Sequence, residues 1–296
     1  MPNQIKNERA VASVVTSVST LEGGGFPVRR PFPTAQLMQV DPFLLLDHLG
    51  PVTWGPGAGI GAPDHPHRGF ETVTYLLSGE MQHKDSAGNA GTLRPNDVQW
   101  MTAGAGVVHS ELPSAHFMKN GGVMHGFQIW VNLPARDKMI RPRYQDIPAV
   151  NIPEAVSTDG RTKVRVIAGT AMDKSAVIDT HTPIFYLHYT LQPGGSTVQA
   201  IPAGYNALVY LIAGEVLVGA ERRAVREGQM AQLTEGEGVS LAVDAQAKQP
   251  ADLLLLAGQP LNEPVARHGP FVMNTDAEIR QAVSDYQHGR MGKIDF

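Results

Sequence analysis

Two short histidine segments carry the ligand chemistry of this 296-residue chain. The first is His65-Pro66-His67 and the second His109-Ser110-Glu111. Each places two metal-binding side chains at i and i+2, and residues so spaced on a β-strand point to one face. Two such strands side by side aim three imidazoles and a carboxylate at one point. That is a nitrogen and oxygen shell for a first-row transition metal. A lone histidine is more often an ordinary polar residue, but two i,i+2 pairs in one β-rich region are a much stronger signal. Such a set leaves a divalent ion with net positive charge and, in octahedral geometry, two open positions. Water, O2 or a bidentate oxygen substrate, such as an enolate beside a ketone, could take them. One ion per chain is expected. Iron(II) is the first choice, with manganese, nickel, cobalt, copper and zinc in the same ligand class. A closed structural zinc site would more often use cysteine, and the chain has none. Each imidazole must be neutral to bind, so affinity is expected to fall below about pH 6.5.

Spacing leaves the carboxylate ligand open. Glu71 has the same parity as His65 and His67, so Glu71 and Glu111 both qualify. His125, at the start of a strand through Trp130, reads as a side chain that orients a ligand or lines the cavity. A buried, hydrogen-bonded core histidine is the equal alternative.

The elements that must position these groups are strands. Val73-Thr74-Tyr75-Leu76-Leu77 is β-branched and aromatic and ends at Ser78-Gly79, a turn signal. Phe127-Gln128-Ile129-Trp130-Val131 and Lys163-Val164-Arg165-Val166-Ile167 alternate apolar and polar residues. With 31 Gly and 22 Pro, turns are favoured over long helices, and the spacing suits an all-β sandwich or barrel. One helix is predicted near the end, where Thr275 and Glu278 fit a capping box and Ile279, Ala282, Val283 and Tyr286 follow at helical spacing. The stretch 136–153, with Pro142, Pro148 and Pro153, reads as a linker.

An internal repeat sets the architecture. Phe70 to Glu80 lines up with Tyr205 to Glu215, and Thr102 to Val107 with Thr234 to Val239. Extending the first match backwards sets His65 and His67 opposite Ala200 and Pro202. Extending the second forwards sets His109 and Glu111 opposite Leu241 and Val243. The second copy then reads as a structural duplicate without a metal.

The residues Asp41 to Asp47, Pro63 to Val73, Gln99 to Gly106 leading to His109-Ser110-Glu111, and Gln128 to Leu133 resemble the pirin family of cupins. The resemblance spans nearly the whole chain. It implies a bicupin, two tandem antiparallel β-barrels of jelly-roll type with a short C-terminal helix. The implied parts are an N-terminal metal-binding domain over 1–135, a linker over 136–153 and a C-terminal domain without metal ligands over 154–296. The general cupin pattern His-x-His-x-x-x-Glu would make Glu71 a ligand. The pirin pattern implies His65, His67, His109 and Glu111 instead. Asn96 stands where many pirins have glycine before the aspartate, at a turn where Asn tolerates a left-handed conformation.

Function divides within that resemblance. Some pirins resemble quercetin 2,3-dioxygenases, which would bind a flavonol through its 3-hydroxyl and 4-carbonyl and cleave it with O2. Glu111 would then be the base as well as a ligand, with Glu71 as the alternative base. Others resemble regulators that sense redox state through iron and bind a transcription factor or a metabolic enzyme. The expected enzyme is a metal-dependent oxygenase acting on an aromatic or flavonol-like small molecule. A net charge of −4 without a basic stripe argues against direct nucleic-acid binding. No phosphate loop or dinucleotide fingerprint is present, and Gly23-Gly24-Gly25 reads as a loop, so no organic cofactor is expected. No long apolar run or signal peptide is seen, so the expected home is the cytoplasm.

Overall fold

The computed structural model describes residues 5–296. The alternating segments become antiparallel strands, and the strands divide between two units. The unit with both histidine motifs comprises Ser19–Pro33, Phe43–Ala149 and Leu261–Phe296. Its larger sheet runs, edge to edge, Arg143–Ile147, Val98–Thr102, Phe70–Ser78, Gly122–Asn132, Phe43–Trp54, Phe26–Phe32 and Val18–Glu22. Its smaller sheet runs Ala62–His67, Val107–Pro113, Met81–Asp85 and Ala90–Leu93.

The other unit repeats this plan. Its larger sheet runs Val11–Thr16, Gln229–Leu233, Asn206–Ala213, Ala251–Gly258, Ile184–Leu191, Thr162–Ala168 and Glu154–Val156. Its smaller sheet runs Ser196–Ala200, Gly238–Ala242, Glu215–Val218 and Arg223–Arg226. Six strands of each larger sheet and all four of each smaller sheet follow the same order, and only the edge strand differs, Arg143–Ile147 following the other strands of its sheet in the chain and Val11–Thr16 preceding them. The sequence repeat is therefore a repeat of topology, and the fold is the expected all-β bicupin.

Strand pairing corrects one detail of the repeat. In the first copy His109 pairs with His65 and Val107 with His67. In the second copy Leu241 pairs with Thr197 and Val239 with Gln199. The counterparts of His65 and His67 are therefore Thr197 and Gln199, not Ala200 and Pro202. The reason is turn length: Arg68 and Gly69 join the two strands in the first copy, but Ile201 to Tyr205 join them in the second. Polar residues thus persist at both positions. Gln199 is buried and hydrogen-bonded, its Oε1 accepting from Tyr189 Oη at 2.6 Å and its Nε2 donating to Ala200 O at 2.7 Å. Leu241 and Val243 lie in an apolar interior with Val209, Leu253 and Leu255.

The chain's two ends are exchanged between the units. Strand Val11–Thr16 pairs with Gln229–Leu233, while the C-terminal helix Asp276–Gln287 lies in the histidine unit with the hairpin Ala266–His268/Phe271–Met273. The helix starts with the expected capping box: Glu278 N donates to Thr275 Oγ1 and Thr275 N to Glu278 Oε2. Within the proline-rich stretch, Arg143–Ile147 forms an edge strand on Val98–Thr102. There too the buried Lys138 donates to Gly69 O, Asn132 Oδ1 and Val272 O, which satisfies all three of its protons. Burial moves that ammonium down to about 8. Asn96 holds a φ of +70° at its turn. Among the described residues no helix is long and apolar enough to cross a membrane.

Candidate metal centre

The two histidine strands are neighbours. Ala62–His67 pairs antiparallel with Val107–Pro113, and the His109–His65 pairing sets the three imidazoles together. One ring nitrogen from each of His65, His67 and His109 lies within 4.8 Å of the others. His65 Nε2 and His67 Nε2 are 3.0 Å apart. The Nδ1 of His65 faces Pro63 O at 2.7 Å and that of His67 faces Pro270 O at 3.4 Å. A carbonyl can only accept, so both Nδ1 atoms carry the proton and both Nε2 atoms present lone pairs. Two lone pairs that close repel unless a cation lies between them. His109 is fully buried, and neither of its ring nitrogens has a hydrogen-bond partner. Burial holds His67 and His109 well below the usual imidazole range, with neighbouring imidazoles adding to the effect. Convergent imidazoles, two of them oriented through Nδ1 by backbone carbonyls and the third without a hydrogen-bond partner, are the donor set a borderline transition ion requires.

Glu111 lies on the same strand two residues beyond His109. The ladder to the His65 strand is irregular between them, where Glu111 pairs with Ala62. Its carboxylate accepts from Thr74 Oγ1 at 2.8 Å and from Gln128 Nε2 at 2.9 Å. Its oxygens are not among the atoms that converge within 4.8 Å. It does line the same cavity as His65 and His67, which has a volume of about 520 Å³.

Glu71 is placed elsewhere. On strand Phe70–Ser78 it stands at odd spacing from Thr74, so the two side chains leave opposite faces. Thr74 points to Glu111; Glu71 is buried and accepts from Thr102 Oγ1 at 2.7 Å. His125 is likewise apart from the cluster. Its Nε2 is 2.7 Å from His48 Nε2, and the two rings stack at 4.9 Å. Burial first, then the adjacent Arg29 and His125, together drive His48 down to about 2. Neither Glu71 nor His125 lines the cavity.

Several wall residues were not singled out from sequence. Asp47 pairs with Gln128, Gln128 with Thr74, and Thr74 with Gln99, a polar row across four adjacent strands. Asp47 is held by both Arg30 nitrogens, Nε at 2.7 Å and Nη2 at 2.6 Å. Burial pushes the Asp47 carboxyl up, and this fork opposes the push. Trp130 sets its indole edge-on to His67 at 5.2 Å, and Arg267 lies over the same indole at 4.9 Å. The polar alternation of Thr74 and Gln128 was the available signal. Alternation alone gives two faces but not which one is interior.

The comparisons agree with this geometry. Residues 25–131 match the family model described as Pirin, and residues 186–292 match the Pirin C-terminal cupin domain. A pirin-like protein of Solanum lycopersicum is 43% identical over 292 residues, covering 99% of this chain and 96% of its own. Pirin of Homo sapiens is 41% identical over 287 residues, covering 97% and 95%. A solved structure described as quercetin 2,3-dioxygenase from Acinetobacter baumannii is similar at a TM-score of 0.90 and 38% identity, covering 97% of this chain and 100% of that one. With both domain models matched in order and relatives aligned almost end to end, this chain belongs to the pirin family.

Proposed function

We propose that the chain is a quercetinase-like oxygenase that cleaves a flavonol-like substrate with O2, using one iron(II) ion held by His65, His67, His109 and Glu111. The carrying observation is the cavity of about 520 Å³ that reaches His65, His67 and Glu111 together. A bound ion would supply Lewis acidity and a meeting point for O2 and substrate oxygens. The chain's own residues do the rest. Phe26, Leu45, Leu49 and Trp130 give the cavity apolar walls suited to a planar aromatic. Thr74 and Gln128 fix the Glu111 carboxylate, which would take the proton of the substrate's enolic hydroxyl. The resemblance to a structure described as quercetin 2,3-dioxygenase supports the substrate class.

The test is iron-loaded protein in air with quercetin, following O2 uptake and flavonol absorbance. One O2 consumed per flavonol, abolished in the His65→Ala/His67→Ala variant, is expected. Quercetin left untouched by fully loaded protein would end the oxygenase reading.

A further inference from the structure

We infer that the C-terminal hairpin and helix are part of the metal site, with Arg68 and Asp285 as positioning residues, so that docking of this segment and occupancy of the histidine cluster are coupled. The inference rests on metal binding by the cluster and not on oxygenase activity.

Both histidine motifs are fastened to residues 266–291. On the first, the carbonyl that orients His67 belongs to Pro270. The next residue, Arg68, donates its backbone N–H to the same carbonyl at 3.4 Å and accepts from Val272 N at 3.0 Å. Its side chain spans two further anchors: Nε donates to Ala105 O at 2.6 Å, and Nη1 pairs with Asp285 Oδ2 of the helix at 2.8 Å. Gly69 lies so close that a Cβ there would sit 2.0 Å from Val272 O. On the second motif, Val108, next to His109, packs with Phe271, Ile279 and Ala282. Ser86 Oγ donates to Met291 O at 2.7 Å and accepts from Val108 N at 3.1 Å.

The physical link is ligand orientation. A metal-binding imidazole is aimed by the acceptor of its other N–H, and that acceptor sets ligand basicity and ring pose. For His67 the acceptor is delivered by a hairpin that the Arg68–Asp285 pair holds down. Undocking the helix loosens Pro270 and hence His67. By linkage, an ion on His67 favours the docked segment by the same factor that docking favours the ion.

Amide hydrogen exchange on the full chain, with and without Co(II), tests this. Co(II) should slow exchange over residues 271–287 by several-fold. Asp285→Asn, which keeps the side-chain shape, should weaken Co(II) binding roughly 3- to 10-fold and perturb its visible absorption bands, while Asp285→Glu restores both. Exchange over Phe70–Ser78 reports the integrity of the barrel in each variant. Helix exchange that ignores stoichiometric Co(II) overturns the coupling, and so does an Asp285→Asn chain that frees the helix at unchanged affinity. The wild-type arm decides even if a variant fails to fold. Absence of Co(II) binding would remove the metal reading and this inference together. Intact coupling without flavonol turnover would remove only the oxygenase reading.

Discussion

The Thr74 hydroxyl donates a 2.8 Å hydrogen bond to Glu111 Oε1, joining the larger sheet of the histidine unit to the smaller one at the candidate centre. Thr74 and Gln128 are cross-strand partners, so one position on the larger sheet holds both carboxylate oxygens. Thr74→Val should free one oxygen and lower metal affinity about 10-fold. Glu111→Gln should lower both affinity and turnover more strongly. Glu71→Gln should change affinity little, because Glu71 leaves the opposite face of the strand. Isothermal titration with the three variants checks the order; a Glu71→Gln loss as large as that of Glu111→Gln would reverse the assignment.

Metal content should be one ion per chain. The set of three converging imidazoles occurs once among the described residues, and its counterparts in the second unit are Thr197, Gln199 and Leu241. Elemental analysis should give one equivalent in the wild type and close to none in His65→Ala/His67→Ala. Two equivalents, or full loading of the variant, would contradict the site.

Leu241→Ala should cost about 2–5 kcal/mol, since the side chain is fully buried in the apolar core and its loss leaves a cavity. Urea unfolding of metal-free protein measures this. A cost below about 1 kcal/mol would mean that the second barrel collapses around the gap.

Acidification should weaken the metal-free fold. His67 and His109 titrate well below the ordinary imidazole range when folded, because of burial. In the unfolded chain they take protons near pH 6.5. Between those two limits the unfolded state binds more protons, so stability is intact above about pH 6.5 and falls as pH drops beneath it. The same burial favours the neutral form of both imidazoles in the folded apo-protein. Loss of metal affinity should therefore begin at lower pH than the reference value of about 6.5 suggests. Unfolding midpoints that stay flat from pH 7.5 to 5 would remove the basis of this prediction.

What the sequence alone determined is local chemistry. Residue type and i,i+2 spacing identified His65, His67 and His109, and strand periodicity and capping residues located Phe70–Ser78, Gly122–Asn132 and the C-terminal helix. These depend on neighbours a few positions away, so they are written in the chain. The tertiary structure decided the rest. Parity could not separate Glu71 from Glu111, because the two faces of a strand become different only when a second sheet covers one of them. The same covering turned the polar row of Asp47, Gln128 and Thr74 inward. The true counterparts of His65 and His67 depended on a turn length that breaks a fixed repeat offset. The placement of residues 261–296 beside the histidine motifs depended on long-range burial of Phe271, Ile279 and Ala282 against Val108, a contact with no trace in local spacing.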